Sequence, residues 1–257
     1  IDAVVLATPH SLHAQHVKAA AAAGKHVYVE KPFTLDHPSA QEAVAACRRA
    51  HVTLAVGFNR RFSPFVAPLK KVLEKVRGPK QILVRVNAGK LDDGNWQHSG
   101  EGGGRLLGEA CHFTDLALHL AGSPVQSVHA TAGAGQDNYS IALRHVDGSV
   151  STIVYTSEGD PAAPKEYVEV FGGGGYGVMD NYARTRWQQG GRVKVLAKRG
   201  MFAAPDKGHR NALAAFVAAC KGNADAPIQA AEVFHSTAVI LAAAESLARG
   251  ETVMVKA

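Results

Sequence analysis

The chain has 257 residues, 46% of them hydrophobic, and 28 Lys and Arg against 22 Asp and Glu give a formal net charge of +6. That length and apolar content suit a globular chain of one or two domains. The basic residues never gather into a run of five or six, which argues against a nucleic-acid partner and still suits an anionic ligand such as a dinucleotide or sugar phosphate.

The chain opens directly on a strand, Ala3 to Ala7, followed by a helix from Pro9 to Ala23 with Gly24 as its left-handed cap. A second strand spans His26 to Val29. Asp36 or Ser39 caps a helix running to about Ala50, and Val52 to Gly57 is a third strand. This alternation is that of a parallel sheet with crossover helices, one half of a doubly wound nucleotide-binding fold. The glycine-rich phosphate loop of such a fold is not found in this segment.

After a helix from Ser63 to Val76 the pattern changes. Strands are expected at Gln81 to Asn87, Ser127 to Thr131, Asn138 to His145, Ser149 to Thr156, Glu166 to Phe171, Tyr176 to Tyr182 and Arg192 to Leu196, with Asp147-Gly148 a tight turn. A helical pattern starts near Arg105, and helices close the chain at Gly208 to Cys220 and Ala230 to Ala248. The fold class is therefore α/β plus α+β: a partial Rossmann-type sheet over residues 1–60, then a mostly antiparallel sheet with helices over 61–257. No apolar run is expected to reach the ~20 residues of a membrane span, so no membrane partner is expected. Cys47, Cys111 and Cys220 are widely spaced and odd in number. They suggest neither a disulfide framework nor a zinc site, and fit a reducing cytoplasm.

Lys31, in Glu30-Lys31-Pro32, stands at a strand's carboxyl end, where open α/β sheets place their ligands, and Pro32 forces the turn there. Glu109, His112 and Asp115 follow Gly102-Gly103-Gly104 at helical spacing, so Glu109 and His112 should share a face and the acid could orient the imidazole as a general base. The competing reading is a buried helix histidine with a satisfying neighbour and a surface acid. Arg60 and Arg61 follow the third strand and either meet a ligand or brace the domain junction through salt bridges. His10, His13 and His16 lack a carboxylate or cysteine beside them, so no metal is expected. Gly172 to Gly177 matches G-x-G-x-x-G, but a strand follows it where a dinucleotide loop needs a helix, so a hairpin turn is expected.

Taken together, Thr8-Pro9 with His13, Gly24 to Pro32, Gly57 to Phe62 and Gly102 to Asp115 resemble the Gfo/Idh/MocA oxidoreductase family over essentially the whole chain. Gly104 to Asp115 and Asp206-Lys207-Gly208-His209 are most similar to the C-terminal region of bidomain members with a zinc-type alcohol dehydrogenase region ahead. The resemblance implies NAD- or NADP-dependent hydride transfer at a carbinol carbon of a sugar, cyclitol or nucleotide sugar. It gives Lys31 and His112, with Glu109, the catalytic roles, and Thr8, Pro9, His13, Glu30, Lys31, Arg60 and Arg61 the cofactor. Trp96, Asp115 and His209 would line the substrate, and a homo-oligomer, dimer or tetramer, is implied. In the family an aspartate often stands four residues before the histidine, where this chain has Gly108. The alternative is a non-catalytic sugar-binding or dimerisation module.

Overall fold

The computed structural model describes residues 1–135 and 137–256. The first unit is strand β1 (Ala3–Leu6), a 3-10 turn at His10–Leu12, helix α1 (His13–Ala22), β2 (His26–Val29), α2 (His37–Arg49) and β3 (Leu54–Val56). The three strands are parallel in the order β1-β2-β3. Gly24 takes the left-handed conformation after α1 at φ +67°, and the Asp36 carboxylate accepts from the Ser39 amide at 2.8 Å as the cap of α2. A 3-10 turn, Asn59–Phe62, leads to α3 (Ala67–Leu73). That helix is shorter than the sequence suggests, because Pro64 and Pro68 keep its start from extending backward.

The rest of the chain builds one large sheet from β4 (Gln81–Asn87), β5 (Val125–Ala132), β6 (Tyr139–His145), β7 (Val150–Thr156), β8 (Glu166–Gly172), β9 (Gly175–Asp180), β10 (Arg184–Gln189), β11 (Arg192–Lys198) and β12 (Val253–Met254). Its order is β11-β10-β9-β8-β4-β7-β6-β5-β12. All neighbours are antiparallel except β4 and β7. Between β4 and β5 lie a 3-10 turn at Trp96–His98, a π-helical turn at Leu106–Ala110 and α4 (Cys111–Ala121); α5 (His209–Cys220) and α6 (Ala230–Arg249) come last. Helix α4 packs on β4 and β7, and α6 on β5. The alternate residues Leu83, Val154 and Tyr167 turn to the other face and are half-buried.

Two strands escaped the sequence, β10 and the two-residue β12. β10 reads Arg-Thr-Arg-Trp-Gln-Gln, so its only inward residues are Thr185 and Trp187 and it carries no apolar run to read. Helix α6 corrects the expectation about membranes: by length and composition it could cross one, although half of it is buried inside the protein against α2, α4 and β5. Its apolar character is that of a core helix rich in alanine.

The glycine run Gly172 to Gly177 is a hairpin, with Gly172 opposite Gly175 and both turn glycines at positive φ. A Cβ at Gly175 would fall 1.9 Å from the Trp187 ring. The glycines thus serve the turn and the indole.

Candidate active site

The turns at the carboxyl ends of β2 and β3 meet α4 and the π turn before it. Helix α5 crosses back to cover β2, with Phe216 edge-on to Tyr28 at 5.6 Å, so the chain's later half closes the outer face of its first sheet. The opposite, inward side is where the sequence-selected residues gather.

Lys31 reaches across this junction and donates to the Gly108 carbonyl at 2.7 Å. Gly108 lies in the π turn just before α4, and a Cβ there would come 3.1 Å from His10 Cε1. His10 in turn bonds the Gly102 carbonyl at 2.7 Å and meets the Trp96 ring edge-on. The His10 ring and the Gly102 carbonyl thus occupy the space that a side chain at position 108 would need. Trp96 stays 47% exposed, at the rim.

His112 is buried on α4, and its Nδ1 has no hydrogen-bond partner among the described residues. An unpaired buried imidazole costs free energy and marks a place where a ligand can complete the network. Burial, then the positive charges of Arg60, Lys31, His209 and Lys207, push its pKa well below 6.5, so it is neutral at pH 7. A neutral imidazole accepts a proton.

Glu109 does not orient it. Its carboxylate accepts from Arg105 Nη2, the Tyr155 hydroxyl and Lys165 Nζ, each at 2.7 Å. Burial opposes ionisation there, but Lys165, Tyr155 and Arg105 outweigh it and bring the carboxyl down to about 2. The expected pairing fails because the π turn adds a residue to the helical turn between Glu109 and His112, so spacing of three no longer puts the two on one face. Glu109 is a permanently ionised brace beneath the site.

Other expectations need correction too. Asp115 is 1% exposed and takes both Arg61 Nε and Nη2, with the Ser236 hydroxyl as a third donor, which leaves it no surface for a substrate. Arg61 spends its remaining nitrogen on Glu232. Arg60 makes a two-point bond to Glu166 at 2.9 and 3.1 Å. Of the two roles open to these arginines, bracing the junction is the one their contacts satisfy, and neither has a free fork for the cofactor. His13 is fully buried between the Pro32 carbonyl at 2.7 Å and the Thr8 carbonyl at 3.0 Å. Only an imidazolium donates to both, and burial disfavours that form, so the ring donates principally at Pro32. It staples the exit of β1 to the Lys31-Pro32 turn and does not face a cofactor.

Thr8, Pro9 and Glu30 remain partly exposed at the exits of β1 and β2. Thr8 Oγ1 contacts His16 at 3.2 Å. The Glu30 carboxylate makes no hydrogen bond among the described residues and faces Gly57, where a Cβ would lie 2.7 Å from it. An unengaged acceptor beside a side-chain-free strand end fits the hydroxyls of a ribose. His209 is exposed at the start of α5 and acts electrostatically on His112. Sequence reasoning passed over Lys207, Lys165 and Tyr155. They are distant in the chain, and only the quoted run Asp206 to His209 held any signal for one of them.

Residues 1–58 match the family model described as "Oxidoreductase family, NAD-binding Rossmann fold", and 76–255 match its "C-terminal alpha/beta domain" partner. The chain belongs to the Gfo/Idh/MocA oxidoreductase family. This family member is 32% identical over 205 residues to the uncharacterized oxidoreductase YrbE of Bacillus subtilis, covering 79% of this chain and 55% of that protein. It is 28% identical over 207 residues to the inositol 2-dehydrogenase of Rhizobium meliloti, covering 80% and 58% respectively. It therefore spans little more than half the length of these curated relatives. Among solved structures, the aldose-aldose oxidoreductase of Caulobacter crescentus superposes with a TM-score of 0.85 at 22% identity, over 99% of this chain and 79% of that one. An NAD-binding oxidoreductase of Klebsiella pneumoniae gives 0.86 at 22%, over 100% and 81%. At such identity these two establish the fold.

Proposed function

We propose that the chain carries the catalytic and substrate-binding parts of an NAD- or NADP-dependent dehydrogenase that acts at a carbinol carbon of a sugar, cyclitol or nucleotide sugar. The observation that carries this reading is the convergence of the Lys31 ammonium with a buried, neutral, unpaired His112 at the carboxyl edge of a parallel sheet. Such a pair suits one oxygen: the ammonium stabilises negative charge as it develops, and the imidazole takes up the hydroxyl proton. In the reverse direction the imidazolium returns that proton. Thr8 and Glu30 would hold the nicotinamide ribose, and the bound cofactor would supply hydride acceptance or donation.

On this reading residues 1–60 form the cofactor-binding part and 61–257 the substrate and assembly part. The half-buried outer face of the large sheet would pack against a second copy. The free cysteines, with Cys47 and Cys111 buried, favour a reducing cytoplasm. We assign the parent protein to the bidomain branch on the Gly104 to Asp115 and Asp206 to His209 motifs. The coding sequence upstream of Ile1 tests that point.

Substitution of the two central residues tests the function. Lys31→Ala and His112→Ala in the full-length protein should each lower kcat by about 100- to 10,000-fold while the circular dichroism spectrum is retained. Wild-type turnover in both variants would sink the assignment.

A further inference from the structure

Charge around His112 is unevenly balanced. The Arg60 and Glu166 pair is neutral by itself and complete in geometry, with Tyr182 also donating to Glu166 at 2.6 Å. Lys207 nevertheless adds a second cation to the same carboxylate at 2.8 Å. The Arg105 and Glu109 pair is likewise neutral, and Lys165 adds a second cation there. Lys31 meets only a backbone carbonyl. Lys207 and Lys165 are thus second cations on carboxylates that Arg60 and Arg105 already match. The nicotinamide end of an oxidised cofactor is itself cationic, so it does not supply the missing negative charge.

The surplus is held on a built support. Asn59 Nδ2 donates to the Lys207 carbonyl at 2.7 Å, Ser63 Oγ donates to the Asp206 carbonyl at 2.7 Å, and Asp206 accepts from the Gly208 amide at 2.8 Å. Gly208 has φ +89°, and a Cβ on it would lie 2.4 Å from the Asn59 carbonyl oxygen, so this segment admits no other residue without moving. It is packed directly on the turn that follows β3. Lys207 keeps 28% of its side chain exposed and Lys165 keeps 38%. Each retains donors beyond the one it gives to its carboxylate.

We propose that Lys207, beside His209 and with Lys165 as a second cation, is the anion-recognising residue of the substrate site, and that the substrate is a polyol bearing a carboxylate or phosphate. This rests on the dehydrogenase reading above and narrows its substrate class. Lys31 addresses the reacting hydroxyl, and Lys207 addresses the substrate's charge. The excess positive field also draws anions toward the cleft.

Calorimetric titration of the full-length protein at low salt tests this with matched probes: D-glucuronate and D-glucose 6-phosphate against D-glucose, and myo-inositol 1-phosphate against myo-inositol. One anionic probe should bind at least about tenfold tighter than its neutral match, as expected for a charge-assisted hydrogen bond. Whether glucuronate or a phosphate ester wins separates carboxylate from phosphate. The ratio should fall toward one in Lys207→Met, recover in Lys207→Arg, and stay unchanged in Lys18→Met, whose amine pairs with Glu42 on an exposed surface. Equal binding of charged and neutral probes, or a ratio indifferent to Lys207→Met, overturns the inference. If neutral polyols are then oxidised with nicotinamide reduction, the dehydrogenase reading survives alone. If no probe of either kind binds or is oxidised, both fall.

Discussion

Glu109 and His112 stand three positions apart, and each shows a titration consequence that can be measured. The folded-state pKa of Glu109 is depressed from 4.5 to about 2, so its stabilising contribution is complete above pH 4.5 and is lost as pH falls through about 2. Glu109→Gln should therefore cost on the order of 3 kcal/mol at pH 7 and flatten that acid segment of the unfolding curve, read by urea denaturation at a series of pH values. His112 is also pushed down, well below the usual 6.5 of an imidazole, but there the shift favours the neutral form: burial first, then Arg60, Lys31, His209 and Lys207, disfavour the imidazolium. Activity that depends on this base should persist below pH 6.5. Removing one of those cations relieves the repulsion on the imidazolium, so Lys207→Met should shift the acid limb of the pH–rate profile upward. An unmoved limb in that variant would show that Lys207 does not act on the base. Lys31 and His112 were legible in the sequence because a strand exit and a helix face are local patterns. The partners of Glu109 were not, since Tyr155 and Lys165 come from β7 and the start of β8 and only the sheet brings them to it.

The elements are locked by buried charge. Arg61, after β3, ties itself to Asp115 on α4 and Glu232 on α6, so three elements depend on one guanidinium. Truncating Asp115 leaves that cation buried with only the half-exposed Glu232 to answer it. Asp115→Ala should cost about 3–5 kcal/mol in chemical denaturation, well beyond an ordinary surface change. Gly208 is the second lock. Gly208→Ala combines a left-handed backbone with a collision against main-chain atoms of the Asn59 to Ser63 turn, and should lower stability by roughly 1–3 kcal/mol. Because the same segment carries Lys207, the variant should also move the His112 pH profile. The sequence shows Arg60-Arg61 as a pair of cations and leaves two roles open for them. Their bracing role follows only from carboxylates 54 and 106 residues away.

On the scale of the whole molecule, the large sheet has a sheltered centre and open margins. β4 lies between β7 and β8 with Ile82, Val84 and Val86 buried, whereas β11 is a margin strand with Val193 56% exposed. Amide hydrogen exchange should be slowest in β4, β7 and β8 and fastest in β11, by several orders of magnitude under native conditions. Equal protection in β11 would mean that another surface covers it. The sequence by itself determined the alternating strands and helices of the first unit, the shift to antiparallel strands, the glycine hairpin, and the placing of Lys31 at a strand end and His112 on a helix. Each of these rests on periodicity, turn chemistry or position at a strand end, which are properties of neighbouring residues. Tertiary structure alone decided that α5 returns to roof the parallel sheet and that Arg60, Arg61 and Asp115 are braces. It also decided that Glu109 is held by Arg105, Tyr155 and Lys165 and that Lys207 joins the Arg60 and Glu166 pair. Those outcomes depend on which distant charges share a buried space, and pairing in a low-dielectric interior is set by three-dimensional proximity, which spacing along the chain does not encode.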